Sequence, residues 1–190
     1  MIALAVFLVL ALALVVYVVG IYNGLVSLRE NIRVAWANLD VLLKQRHDEL
    51  PKLIETCKRY MQFEQETLEK VMRARASVSE ASASGNVAAV GAAEQQLRAG
   101  MSRLFAVAES YPQLKSDENF QQLQSRITAL EESIADRREL YNDQVNLNNI
   151  RVKTFPDVLI AQQFGFGPAH LLEFSSEEKA DVDVGALFRA

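Results

Sequence analysis

The chain has 190 residues and a formal net charge of −4. That leaves room for one domain of ordinary size and gives no basic footprint for nucleic acid, so no nucleic-acid partner is expected. Half of the residues are hydrophobic, with only eight Gly and four Pro, which excludes a disordered or collagen-like chain, and Cys57 as the single cysteine excludes an intrachain disulfide and every multi-cysteine zinc site.

Every charged side chain lies after position 28, because 2–28 contains no Asp, Glu, Lys or Arg. The Leu/Val/Ala-rich stretch from Ile2 to Ile21 spans roughly 30 Å at about 1.5 Å per residue, the thickness of a hydrocarbon core. Residues 1–22 therefore read as a transmembrane anchor, with Tyr17 and Tyr22 at the headgroup level and Asn23 at the exit into water. A cleaved secretory signal would carry a basic start, a shorter apolar stretch and a small-x-small site. Here only Met1 precedes the span, and Ala11 and Ala13 sit inside an unbroken apolar run, so a retained, single-pass anchor is expected. Arg29 and Arg33 follow the span and no basic residue precedes it, which by the positive-inside rule puts the N-terminus outside and the bulk of the chain in the cytoplasm.

After the exit, Leu25, Leu28, Ile32, Ala35, Leu39 and Leu42 recur at steps of three and four, the seam of a helix running directly out of the bilayer. Asp48 and Pro51 read as the cap and first-turn proline of a second helix. That helix continues through Leu53, Cys57, Tyr60, Glu64, Leu68, Val71, Arg75 and Val78, and fades at 79–86, where Gly85 and Asn86 predict a turn. A third runs through Val90, Glu94, Leu97, Met101, Leu104 and Ala108 to Pro112. A fourth starts near Ser116 or Asp117 and carries Phe120, Leu123, Ile127, Ile134, Tyr141 and Val145 to about Lys153. Four amphipathic helices on short connections bury their stripes against one another as an antiparallel bundle, so the expected fold is all-α: a transmembrane helix continuing into a four-helix bundle over 23–153. The segment 154–190 then reads as a kink at Pro156, a short helix to Gln163, an aromatic turn and an acidic tail.

Several linked stretches, in order, carry a resemblance. YNGLVSLRENIRVAWANLDVLLKQRHDELPKL (Tyr22 to Leu53), AESYPQLK (Ala108 to Lys115), NFQQLQ (Asn119 to Gln124), RRELYNDQVNLNN (Arg137 to Asn149), TFP (Thr154 to Pro156) and FGFG (Phe164 to Gly167) resemble the LemA family over about residues 20 to 167. The resemblance implies a bacterial inner-membrane protein with an N-terminal anchor, its N-terminus outside, and an antiparallel four-helix bundle. It brings no catalytic residues. The chain departs from the family pattern at Leu42 and Lys52, where polar amides are commoner, and in the acidic tail after Phe174.

Charged residues on or beside the predicted seams are Glu64, Arg75, Glu94, Glu131 and Arg138. A lone buried charge is costly, so these are expected to pair across helices and fix register rather than to line a ligand pocket. A di-metal site in a bundle needs Glu-x-x-His, and His47 and His170 follow Lys44 and Gly167 at that spacing, so no metal or cofactor is expected. Cys57 on an apolar seam reads as a small packed hydrophobe. Tyr141, Asn142, Asn148 and Asn149 are expected to hydrogen-bond the adjacent C-terminal segment, and Trp36, Phe155, Phe164 and Phe166 are candidate interface residues. No nucleophile with its base, metal-ligand cluster or phosphate loop is present, so the chain reads as non-enzymatic. The expected function is a homo-oligomeric helical scaffold at the membrane surface, in contact with lipid and further protein partners. The alternative is a membrane-tethered sensor or adaptor whose bundle binds a small ligand or a partner protein.

Overall fold

The computed structural model describes residues 1–173, so the acidic tail lies outside the described residues. These are all-α: α1 (Ile2–Tyr60), α2 (Gln65–Ser84), α3 (Val87–Ala108), α4 (Pro112–Lys115), α5 (Glu118–Arg151) and α6 (Asp157–Phe164). The chain forms two compact units, one of Met1–Leu42 with Glu132–Leu171, the other of Leu43–Glu131 with the chain from Leu172.

In the second unit the end of α1, the start of α5 and the α2–α3 hairpin pack side by side. The α1 and α5 segments are antiparallel: Arg46 meets Glu131, and further along α1 Tyr60 meets Asp117, at the start of α5. The turn between α2 and α3 falls where glycine and asparagine predict it. Gly85 closes α2 at φ +67°, a left-handed conformation that glycine adopts without penalty, and the Asn86 side chain accepts from the Ala89 N–H to cap α3. Leu50, Leu53, Cys57, Leu68, Val71, Val90, Leu97, Leu104 and Ile127 are buried between these helices, all from the three-and-four spacing.

In the first unit α1 and α5 run as an antiparallel pair, with Trp36 against Tyr141 and Gly24 against the Arg151 guanidinium. Here α6 closes the pair: Ala161 and Phe166 join Ile21, Leu25 and Val152 in a small apolar core.

Two helix boundaries differ from the sequence reading. Pro51 does not start a helix; it lies inside α1. Proline there removes the N–H that would bond the carbonyl of His47, which normally breaks a helix, but Arg75 Nε donates to that carbonyl at 2.8 Å and satisfies it. The actual break comes at Met61–Glu64, where no glycine or proline stands. Met61 is fully buried there, and the turn is held by tertiary bonds on either side, Tyr60 Oη to Asp117 at 2.9 Å and Tyr111 Oη to Glu64 at 3.4 Å.

Candidate functional site

The polar centre of the second unit is Arg46. Its position continues the α1 seam from Leu39 and Leu43 to Leu50, Leu53 and Cys57, so the helix carries it inward, and its side chain is 1% exposed. One terminal nitrogen donates to Glu94 on α3, itself fully buried, and the other to Glu131 on α5 at 2.5 Å. Arg98 Nε lies 3.6 Å from the second oxygen of Glu131. Two guanidinium groups and two carboxylates thus join α1, α3 and α5 in a neutral cluster. Burial alone would lower the Arg46 pKa, but the two carboxylates outweigh it and the pKa is raised. Burial also pushes the Glu94 carboxyl up, offset in part by Arg46. The cluster can hold three helices in register; among the described residues no group of His, Cys, Asp and Glu is arranged to hold a metal ion.

In the first unit polar side chains tie residues 167–170, a strap that follows α6, to α5. Asn149 Nδ2 donates to the Ala169 carbonyl at 2.9 Å while its Oδ1 accepts from the Ala169 N–H at 2.8 Å; Asn148 donates to the Gly167 carbonyl at 3.1 Å and Tyr141 Oη to the His170 carbonyl at 2.9 Å. Asparagine is a poor helix former, and here its amide serves a backbone segment outside any helix. The strap and α6 deliver Phe164 and Phe166 to Tyr22, edge-on with ring centroids 5.0 and 5.6 Å away, and Arg29 lies over the Phe166 ring at 5.0 Å.

In α1 an 18-residue window has a mean hydropathy of 3.2 and none of it is buried within the protein. By length and composition this helix is able to cross a membrane. Leu4, Phe7, Leu12 and Val16 in it are each more than half exposed.

The profile of the LemA family matches residues 35–185, most of the chain. The chain belongs to the LemA family. Among curated proteins, the magnetosome proteins MamQ 1 and MamQ 2 of Paramagnetospirillum magneticum are each 23% identical over 177 residues, covering 80% of this chain and 64% of their own length. This LemA-family chain thus spans just under two thirds of those relatives. Protein LemA of Metamycoplasma hominis is 26% identical over 173 residues, covering 89% of this chain and 76% of its own length.

On the LemA bundle the residues singled out from sequence scatter over several contacts. Glu94 and Glu131 meet, but through Arg46, which the sequence reading missed. Glu64 and Arg75 do not pair with each other: Glu64 accepts from Tyr111 and Arg75 donates to the His47 carbonyl, because Glu64 stands at the N-cap of α2 and Arg75 lies about 16 Å further along that helix at ~1.5 Å per residue. Both are half-buried rather than buried, as is Arg138, which lies in the first unit. Trp36 packs within its own chain, on Tyr141. Phe166 is buried, while Phe155 and Phe164 are 75% and 54% exposed. Tyr17 is exposed, Tyr22 carries the aromatic cluster, Arg29 stacks on it, and Arg33 is exposed and bonds Glu30 at 2.8 Å. The signal for Arg46 was present in the seam spacing; placing a helix start at Pro51 cut the seam at Leu42 and hid it.

Proposed function

We propose that this chain is a single-pass protein of the bacterial inner membrane with no catalytic role. Its helical bundle, on the cytoplasmic side, serves as a homo-oligomeric scaffold, with the N-terminus outside. The observation that carries the reading is the uncovered apolar window of α1. An uncharged helix of that length, with none of its window buried by the described residues, needs an apolar solvent, and a bilayer supplies one with every backbone group already satisfied inside the helix. The same helix continues without a break into the bundle, so the anchor and the folded region are one element. A structural role also agrees with the polar interior, where the cluster of Arg46, Glu94 and Glu131 is engaged in mutual pairing. The relatives named for the magnetosome carry the name of a structure rather than a reaction, in keeping with that role.

Expression of the full chain in a bacterial host tests the reading. Alkaline extraction should leave it in the membrane pellet, and its intact mass should include residues 1–22. Fusion reporters at the two ends should place the N-terminus outside. In mild detergent or nanodiscs, light scattering should give a multiple of the 21.2 kDa chain mass. A soluble polypeptide starting beyond Tyr22 would remove the anchor, and a monomer at high concentration would remove the scaffold.

A further inference from the structure

We propose that the corner between α5 and α6 is a second membrane contact, seating Phe155, Leu159 and Phe164 in the interfacial zone of the same bilayer that α1 enters. The proposal rests on the membrane reading of α1 and adds a surface to it.

Because α5 runs antiparallel to α1 within this unit, each residue added to α5 moves toward the apolar span. Arg151, its last residue, lies against Gly24, and Val152 packs with Ile21 and Leu25. The corner at 153–156 therefore continues past the point where the uncharged run of α1 ends. Val18, inside that run, is half-buried whereas residues 12–17 are exposed, so the folded part of the unit overlaps the last turn of the span. From the corner, α6 returns along α1 and ends with Phe164 on the Tyr22 ring, at the headgroup level of the anchor.

What the corner exposes there is apolar. Phe155 is 75% exposed, Leu159 57% and Phe164 54%. The other faces of the same element are committed, with Ala161 in the core and Asp157 bonded to Arg151 at 2.5 Å. Beside the apolar side chains stand Lys153, exposed at the corner, and Arg29 over Phe166, cations at the depth of lipid phosphates. Apolar groups aimed at the acyl boundary, with basic groups beside them and aromatic rings between, are the composition of an interfacial membrane element. Continuity with the span selects lipid over other occupants: the corner lies where the bilayer surface must be if residues 2–21 cross it.

Depth measurement on the full-length protein in phosphatidylcholine/phosphatidylglycerol nanodiscs tests this. Nitroxide labels are placed singly through Phe155→Cys, Leu159→Cys, Leu10→Cys as a lipid reference, and Leu140→Cys as a water reference about 16 Å up α5 at ~1.5 Å per residue. Relaxation by oxygen and by water-soluble nickel chelate is then compared. The labels at 155 and 159 should respond to oxygen and should be several-fold less accessible to nickel than the label at 140. Equal nickel access at 155, 159 and 140, with position 10 still reading lipid, would overturn the second contact and leave the anchor standing. Nickel access at position 10 as well would remove the membrane reading itself. Shielding of 155 and 159 from both reagents, with spin–spin broadening that disappears on dilution with unlabelled chain, would assign the surface to a second copy and overturn the proposal.

Discussion

Arg75 on α2 donates from Nε to the carbonyl of His47 at 2.8 Å, the acceptor that Pro51, four residues later, leaves without its helical N–H. One side chain thus repairs the defect that would otherwise end α1 short of Tyr60. The arrangement predicts a specific coupling. Arg75→Met should destabilise the fold by about 1–3 kcal/mol, the cost of leaving a half-buried carbonyl unsatisfied. In a Pro51→Ala background the alanine N–H takes over the His47 carbonyl, and the same substitution should cost distinctly less. A denaturant-unfolding cycle over the four proteins measures the coupling; additive effects would show that the bond contributes nothing to the continuity of the helix.

The Arg46 cluster makes a second prediction about stability. Arg46→Met strands Glu94, which is fully buried, and should cost about 3–5 kcal/mol, the usual price of an uncompensated interior charge. Adding Glu94→Leu removes that charge, while Glu131 keeps Arg98 at 3.6 Å, so the double variant should regain most of the loss. Arg46→Lys should fall between the parent and the methionine variant, since an ammonium compensates the Glu94 charge but does not reproduce the two-pronged fork that meets Glu94 and Glu131 together. Chemical denaturation with circular dichroism gives all three values.

Most of the helical fold was legible because burial here follows the heptad seams. Leu39, Leu50, Leu53, Cys57, Leu97, Leu104, Ile127 and Val145 are all buried, and the Gly85–Asn86 turn and the start of α5 carry local signals. The misplaced boundary has a physical cause at each end. Proline at 51 normally terminates a helix, and only a side chain from 24 residues further on repairs it. The break at Met61–Glu64 lacks any local breaker and depends on Tyr60 reaching Asp117 and Tyr111 reaching Glu64. Contacts between distant positions leave no trace in periodicity. Arg46 was hidden by the same error, whereas the roles of Asn148 and Asn149 were readable because poor helix formers in the last turn of a long helix call for a tertiary partner.

Asp117 sets a pH dependence with a definite sign. Its carboxylate accepts from the Phe120 N–H at 3.0 Å and from Tyr60 Oη at 2.9 Å, and these bonds, the backbone one first, lower its pKa. A carboxyl depressed in the fold contributes stability above its unfolded value, near ~3.9, and loses it as pH falls through the folded value. Tyr60 is shifted the other way, up, chiefly by its bond to Asp117, so its contribution is complete below the ordinary tyrosine range and is lost in strong alkali. Asp117→Asn keeps a capping acceptor but does not titrate. Thermal melts from pH 2.5 to 6 should show a shallower acid limb for that variant than for the parent; identical limbs would assign the acid sensitivity elsewhere.

Burial pushes the Cys57 thiol up to about 12, and the side chain has no exposed surface. Iodoacetamide at pH 8 should leave it unmodified over hours in the folded protein and alkylate it fully in denaturant, because the thiolate is the reacting species. Mass spectrometry of the two samples checks this. Rapid labelling without denaturant would mean that the second unit opens locally at the α1 seam.

Two glycines of α3 should respond to alanine with opposite signs. Alanine in a helix interior ordinarily stabilises by about 0.5–1 kcal/mol relative to glycine, through the entropy of the unfolded chain. At Gly100 a Cβ would meet Val71 Cγ2 at 3.4 Å, ordinary contact, so Gly100→Ala should show that gain. At Gly91 a Cβ would overlap the backbone carbonyl of Glu173, and a carbonyl held next to the buried Leu172 has no rotamer through which to yield. Gly91→Ala should therefore lose about 1–3 kcal/mol, the cost of overpacking, and should increase proteolysis after Leu172 as the chain lifts from α3. Unfolding midpoints together with limited proteolysis separate the two cases, and a stabilised Gly91→Ala would place Glu173 away from the helix.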